Sequence, residues 1–389
     1  MSTHRTRLIV GCMTGTSLDG LDCVLARIEG AGLDVRAEFV SMVSRSFGDA
    51  LRSQLRSLAS GAPTPPIDYQ RAGRALGVFH ADVLDELFAT HADVKPGFVV
   101  THGQTIWHAP AEHLSWQLFD PWPIVHRLRV PVCYDLRQAD LIARGQGAPI
   151  TPLSDWVMYR DPNEWRVVCN LGGICNVTSL PAGSEPANVT GEDLGPCNLL
   201  LDGLVSRLFP GSDYDVDGTL SRAGVEHDAV IDRIRAAQFF ERPTPRTTGR
   251  EDFGAAWLDA LAASSHDIAP PDVLASAIQY IAQDINAYTL RVRQHANSVN
   301  TKAGLRVIIA GGGARNASLV DAIRASLRAA VTDGPCSCTL SDGHGIPIEA
   351  REAMGLAVLG ALSQDGVPIT LPRVTGATGP GVAGAWVYP

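Results

Sequence analysis

At 389 residues, with 45% hydrophobic and 19% charged side chains, the chain has the composition of a globular protein and enough length for two domains. Its net charge of −9 excludes a general nucleic-acid or anionic-membrane surface, either of which would need clustered lysine and arginine. No run reaches the ~18–20 apolar residues of a membrane span, and the first apolar run passes into a polar loop without a cleavage site, so a cytoplasmic location is expected.

In chain order, Arg7–Gly11 is a β-type run and Leu21–Ile28 alternates as a second strand, with the polar turn Met13–Gly20 between them. A third β-rich run covers Ala37–Phe47. Ile67–His91 has a Leu/Val/Phe face and no internal proline, which predicts a helix. Phe98–Val100 feeds a strand into the polar sequence Thr101-His-Gly-Gln-Thr105. A short strand at Pro131–Asp135 precedes the glycine-rich stretch Arg144–Pro149, where the helix signal breaks and the chain is expected to cross between domains.

Arg166–Gly173 then forms a strand and glycine loop with Ile174–Leu180 as its return strand, which repeats the layout of the first hairpin. Asn198–Leu208 reads as a helix. In Val273–Val292 the apolar residues Leu274, Ile278, Ile281, Ile285 and Tyr288 recur at a helical period. Leu305–Ala310 is a buried-strand run that enters Gly311-Gly-Gly-Ala-Arg-Asn316 and a further helix, and Pro347–Ser363 is the last helix expected. Mixed strands and helices throughout make the fold class α/β. The eight cysteines, several inside apolar strands, read as reduced small hydrophobes.

Three glycine-containing loops follow apolar strands: Thr14–Gly20, Leu171–Gly173 and Gly311–Gly313. Glycine lets backbone approach a ligand, and the exposed N–H groups of such turns can cradle phosphate oxygens. The first loop adds hydroxyls at Thr14, Thr16 and Ser17 and a carboxylate at Asp19 suited to a Mg²⁺-bound water; the alternative is a polar hairpin turn. It is neither a Walker A loop nor a Rossmann G-x-G-x-x-G.

Asp193 lies just before the helix Asn198–Leu208 and suits either a general base or a helix cap, while Asp202 reads as solvated. His102 and Gln104 stand together at a strand end, where they can bond sugar hydroxyls or satisfy the fold's own polar groups. Arg250 suits a phosphate contact or an ion pair with Glu251. Nothing resembles G-x-S-x-G, H-E-x-x-H or an EF-hand.

Taken together, Gly15-Thr-Ser-Leu-Asp-Gly-Leu-Asp22, Thr101-His-Gly-Gln-Thr105, Gly145-Gln-Gly-Ala-Pro149, Asn170-Leu-Gly-Gly-Ile174, Asp193-Leu-Gly-Pro, Tyr214-Asp-Val-Asp-Gly218, Thr248-Gly-Arg-Glu251, Gly311-Gly-Gly-Ala-Arg-Asn316 and Val374-Thr-Gly-Ala377 occur in the order seen in anhydro-N-acetylmuramic acid kinases, and the chain resembles that family over nearly its whole length.

The resemblance implies a two-lobed, actin-like sugar kinase fold, a duplicated ribonuclease-H-like α/β unit with ATP and Mg²⁺ in its cleft. The lobes implied are 1–145 joined by 366–389, and 146–365. Carried over residue by residue, Gly15, Thr16, Ser17, Leu18, Asp19, Gly20, Leu21 and Asp22 line the nucleotide phosphates, with Asp19 toward the metal. Gly172, Gly173, Gly311, Gly312, Gly313 and Asn316 complete the nucleotide site near the adenosine, His102, Gln104, Gln146 and Gly147 meet the sugar, and Asp193 is the catalytic base. Glu352 matches an acidic helix start more loosely.

The implied reaction opens the 1,6-anhydro ring with water and phosphorylates O6; a homodimer is implied by the family alone. Departures are Cys197, Arg144, Leu153-Ser-Asp155 and Trp107, all in segments where sugar specificity is expected. A levoglucosan or other anhydro-sugar kinase, or a non-catalytic sugar-binding member of the fold, are the other readings.

Overall fold

The computed structural model describes residues 5–15, 18–91, 95–249, 252–298, 303–330 and 336–389. It divides into two compact units, Met1–Met158 with Ala350–Pro389, and Tyr159–Glu349.

The first unit is built on a six-stranded sheet. Strands β1 (Thr6–Met13), β2 (Gly20–Glu29) and β3 (Arg36–Ser46) run antiparallel in sequence; β4 (Phe98–Thr101) and β7 (Val132–Tyr134) then add in parallel beyond β1, and the terminal β13 (Ala385–Val387) closes that edge. Between β4 and β7, β5 (Gln104–Ala109) and β6 (Leu114–Leu118) form a separate two-stranded hairpin.

Successive residues of a strand face opposite ways, and both faces of β1 are covered. Val10 and Cys12 enter a core with Leu76, Val83, Leu84 and Leu87 of the helix Pro66–Ala89. Gly11 faces the helix Arg351–Gln364 so closely that a Cβ there would lie 1.9 Å from the Ala353 carbonyl oxygen. That helix is apolar on every side because it is buried on nearly every side, from Ala353 to Ser363.

The second unit repeats the plan. β8 (Glu164–Leu171), β9 (Ile174–Leu180) and β10 (Thr190–Pro196) are antiparallel, and β11 (Gly304–Ala310) and β12 (Cys336–Leu340) add in parallel beyond β8. The helix Pro270–Ser298 buries Leu274, Ile278, Ile281, Ile285 and Tyr288 in a core with Leu171, Val177 and Leu194. Apart from the added β13, the two sheets share one strand order and one set of directions, so the chain is a duplicated ribonuclease-H-like α/β protein, the fold class expected from the motifs.

The loop Arg144–Pro149, expected as the crossing, lies within the first unit: Gln146 N–H donates to the Thr375 carbonyl (2.9 Å) and Gly147 N–H to Asp140 Oδ2 (2.7 Å). The chain passes to the second unit at Met158 and returns at Ala350, so the helix Arg351–Gln364 also belongs with the sheet it covers.

Candidate active site

In the first unit the β1–β2 turn is held from β4 and β5. Thr14 Oγ1, fully buried, donates to the Gly103 carbonyl (2.7 Å), and Gln104 Nε2 donates to the Gly15 carbonyl (3.1 Å). Leu18 takes a left-handed backbone (φ 58°) with its side chain in the core, which turns the chain so that Asp19 stands exposed. Asp19 is fixed through its carbonyl, which accepts from Phe47 N–H (2.8 Å). Gly20 backs onto Arg45, where a Cβ would lie 2.5 Å from the carbonyl oxygen; Leu21 is core, and Asp22 Oδ1 accepts from Ser44 Oγ (2.6 Å). Thr16 and Ser17 lie outside the described residues, as do Arg250 and Glu251.

His102 and the glycine loop meet at Arg137, a residue that sequence reasoning did not single out. Arg137 Nε donates to His102 Nε2 (3.0 Å) and its Nη1 donates to the Gly147 carbonyl. Since Nε2 accepts, the proton sits on Nδ1, which donates to the Gly103 carbonyl (2.8 Å). Burial, reinforced by the neighbouring guanidinium, pushes the His102 pKa down to about 3, so the ring stays neutral. Both ring nitrogens are thereby engaged within the unit, and His102 orients Arg137. Asp140, fully buried, organises the same loop: Oδ1 accepts from Thr375 Oγ1 (2.6 Å) and Oδ2 from Gly147 N–H. The signal in sequence was slight, because Arg137 and Asp140 stand in a stretch that also holds Asp135, Gln138 and Arg144.

Half-buried Glu352 opens the helix Arg351–Gln364. Burial raises its carboxyl above the ordinary range, opposed by Arg351 and Arg137 and reinforced by Asp22 and Asp155. Beside it Arg351 and Asp155, both fully buried, form a two-pronged ion pair: Nε donates to Oδ1 (2.9 Å) and Nη2 to Oδ2.

In the second unit two glycine loops interlock. The carbonyls of Gly172 and Gly173 accept from Asn198 N–H (3.0 Å) and Cys197 N–H (2.9 Å) at the start of the helix Asn198–Leu208. Gly311 has φ 87°, and a Cβ there would lie 2.7 Å from Asn170 Oδ1; at Gly313 it would lie 2.7 Å from Asn198 Oδ1. Gly312 is exposed between them. Asn170 Oδ1 is a buried acceptor without a partner among the described residues. Asn316 caps the next helix, its Oδ1 accepting from Leu319 N–H (3.0 Å), so its side chain is committed to the fold.

Asp193 is no helix cap. It sits inside β10 at a bulge, nearly buried, with its N–H on the Arg246 carbonyl (2.9 Å) and its Oδ2 accepting from Thr248 N–H (2.9 Å). Asp202 is exposed, as expected.

The family model for anhydro-N-acetylmuramic acid kinase matches residues 7–389. The chain belongs to the anhydro-N-acetylmuramic acid kinase family. Relatives bearing that name are 37% identical in Salinibacter ruber (97% of this chain, 96% of the relative), 36% in Burkholderia vietnamiensis (97% and 95%) and 35% in Xanthomonas campestris (100% and 98%). As a member of this kinase family the chain is an enzyme, a phosphotransferase with an alcohol group as acceptor.

The structure shows the settings of three of the departures. Cys197 is a fully buried member of the second core, its thiol pushed up by burial. Asp155 is spent on Arg351, and Trp107 stands about half exposed (53%) on the outer face of the β5–β6 hairpin. Among the described residues no three His, Cys, Asp or Glu side chains gather to hold a metal, and no helix is long and apolar enough to cross a membrane.

Proposed function

We propose that this family member is an ATP-dependent cytoplasmic kinase that opens the 1,6-anhydro ring of anhydro-N-acetylmuramic acid and phosphorylates O6, giving N-acetylmuramic acid 6-phosphate in cell-wall sugar recycling. The observation that carries the reading is the family match across residues 7–389.

In this reading Asp193 is the base. Its Oδ2 is steered by Thr248 N–H, and the carboxylate accepts a proton from the water that attacks the anomeric carbon. The C1–O6 bond breaks, its electron pair passes to O6, and O6 takes the γ-phosphoryl group as ADP departs. Bound Mg²⁺ would supply charge neutralisation on the phosphates.

The residues present suit that pair of ligands. Mg²⁺ keeps several waters and asks for only one or two carboxylates, and exposed Asp19 offers one. The segment Gly15–Asp22 would meet the phosphates with backbone donors. Gly172, Gly173 and Gly311–Gly313, with the unpartnered Asn170 Oδ1 beside them, would meet the rest of the nucleotide. Gln104, Gln146 and Gly147 would meet the sugar, with Arg137 as the cation for a lactyl carboxylate. Of the alternatives for that cation, Arg127 is committed to Asp82 and Asp85.

The test is ADP release by the purified protein with Mg-ATP and 1,6-anhydro-N-acetylmuramic acid, with the product identified by mass. Release at C6 of the opened sugar supports the reading; release with levoglucosan alone would replace the substrate.

A further inference from the structure

The β5–β6 hairpin carries a polar face that the roles above leave unused. Its outer face is apolar, with Trp107 opposite Trp116 in the register. On the other face His108 stands opposite Ser115 and Thr105 opposite Gln117. These four side chains are bonded to one another: His108 Nδ1 to Ser115 Oγ (3.0 Å), and Gln117 Nε2 to Ser115 Oγ (2.8 Å) and to Thr105 Oγ1 (3.1 Å). The segment that follows Arg137 closes over this face, with Gln138 Nε2 on the Ser115 carbonyl (2.8 Å) and His113 Nδ1 against the Gly145 carbonyl (3.4 Å).

Two atoms of the network remain without a partner among the described residues although they are buried, His108 Nε2 and Gln117 Oε1; Gln104 Oε1, at the start of β5, is a third. Buried polar atoms are almost always bonded, so three orphans on one short hairpin call for a ligand or ordered water to complete them. Each is fixed through its other polar atom, which gives a rigid set of bonding positions. His108 stays neutral, its pKa pushed down to about 4 by burial and then by Arg137, so its ring offers a bond without a charge. Neutral amide and imidazole groups beside a guanidinium are the chemistry that reads sugar hydroxyls and an acetamido group.

We propose that the inner face of the β5–β6 hairpin is a specificity-determining sugar subsite, in which His108 Nε2 and Gln117 Oε1 bond the hydroxyl or acetamido groups of the substrate. Gln104 joins this subsite to the first phosphate loop, since its Nε2 already holds the Gly15 carbonyl. The inference rests on the kinase reading above.

It is tested by ADP release over a range of 1,6-anhydro-N-acetylmuramic acid for the wild type, Gln117→Met, His108→Phe and, as a control on the outer face, Trp116→Phe. One lost hydrogen bond of about 1.4 kcal/mol is a factor of ten. Gln117→Met and His108→Phe should each raise the sugar KM about tenfold while the KM for ATP moves less than about twofold. Trp116→Phe changes only the apolar outer face, and should change the sugar KM less than about threefold. Melting curves identify any variant that fails to fold, and direct titration of the sugar onto the folded variant of the pair then carries the comparison. Folded variants with a wild-type sugar KM, or a Trp116→Phe effect as large as the others, would overturn the subsite and leave the kinase reading intact. A wild type that neither binds nor turns over any anhydro-sugar would overturn both.

Discussion

Asp193, Arg351 and His80 show how differently three buried ionisable residues are used. Asp193 is held by backbone N–H bonding at a bulge, so Asp193→Asn keeps the shape and removes the proton acceptor. ADP release should fall about 10²–10⁴-fold while nucleotide still binds by titration. Arg351 is buried for the fold, and removing one partner of a buried pair strands the other charge; Arg351→Met should cost about 3–5 kcal/mol in denaturant unfolding, and adding Asp155→Leu should recover most of it.

His80 is buried neutral, with Nδ1–H on the Leu76 carbonyl (2.8 Å) and its pKa pushed down to about 4. Between that value and the ordinary one near 6.5 the unfolded chain binds the extra proton, so this contribution is complete above about pH 6.5 and is lost as pH falls toward 4. His80→Asn should flatten the stability–pH slope in that window by about 1.4 kcal/mol per pH unit, as read from unfolding at pH 7 and pH 5.

At the scale of elements, the strands and helices with a strong period were legible in the sequence. The hairpin β1–β2, its counterpart β8–β9, the helix Pro66–Ala89 and the strand–glycine–helix run from β11 all follow from alternation, helical period and glycine punctuation. β10 was hidden because Thr-Gly-Glu-Asp-Leu-Gly-Pro has little strand character; it forms because β9 supplies its ladder and because Gly195 (φ 151°) leaves room for the Tyr280 hydroxyl, 2.2 Å from where a Cβ would stand. The β5–β6 hairpin was hidden because its inner face is polar, which reads as loop until the register is known. The last helix starts four residues later than expected, at Arg351 instead of Pro347, because residues 348–350 form turns.

Candidate site residues were legible where they sat in ordered motifs. Arg137, Asp140 and the Asp155–Arg351 pair were not, since their partners are distant in sequence. The interlocked glycine loops yield a further expectation. Gly311→Ala puts a methyl 2.7 Å from Asn170 Oδ1 on a backbone (φ 87°, ψ 164°) that is essentially glycine's alone; it should cost about 1–3 kcal/mol and weaken nucleotide binding measured by titration.

At the scale of the molecule, one plan appears twice: a strand–glycine turn–strand hairpin, a third antiparallel strand and two parallel additions. Duplication gives the chain two sets of glycine turns at strand ends, and the copies have diverged: Asp19 stands on the β1–β2 turn of the first, while Asp193 lies inside β10, the third antiparallel strand of the second. The proposed function is one coupled reaction, ring opening by water with Asp193 as the base and phosphoryl transfer to O6. The measurement that tests it most directly is turnover of 1,6-anhydro-N-acetylmuramic acid with Mg-ATP in H₂¹⁸O. One ADP per sugar opened is expected, with ¹⁸O at C1 and phosphate at O6. ADP release with the anhydro ring intact, or ¹⁸O found in phosphate and none in the sugar, would contradict it.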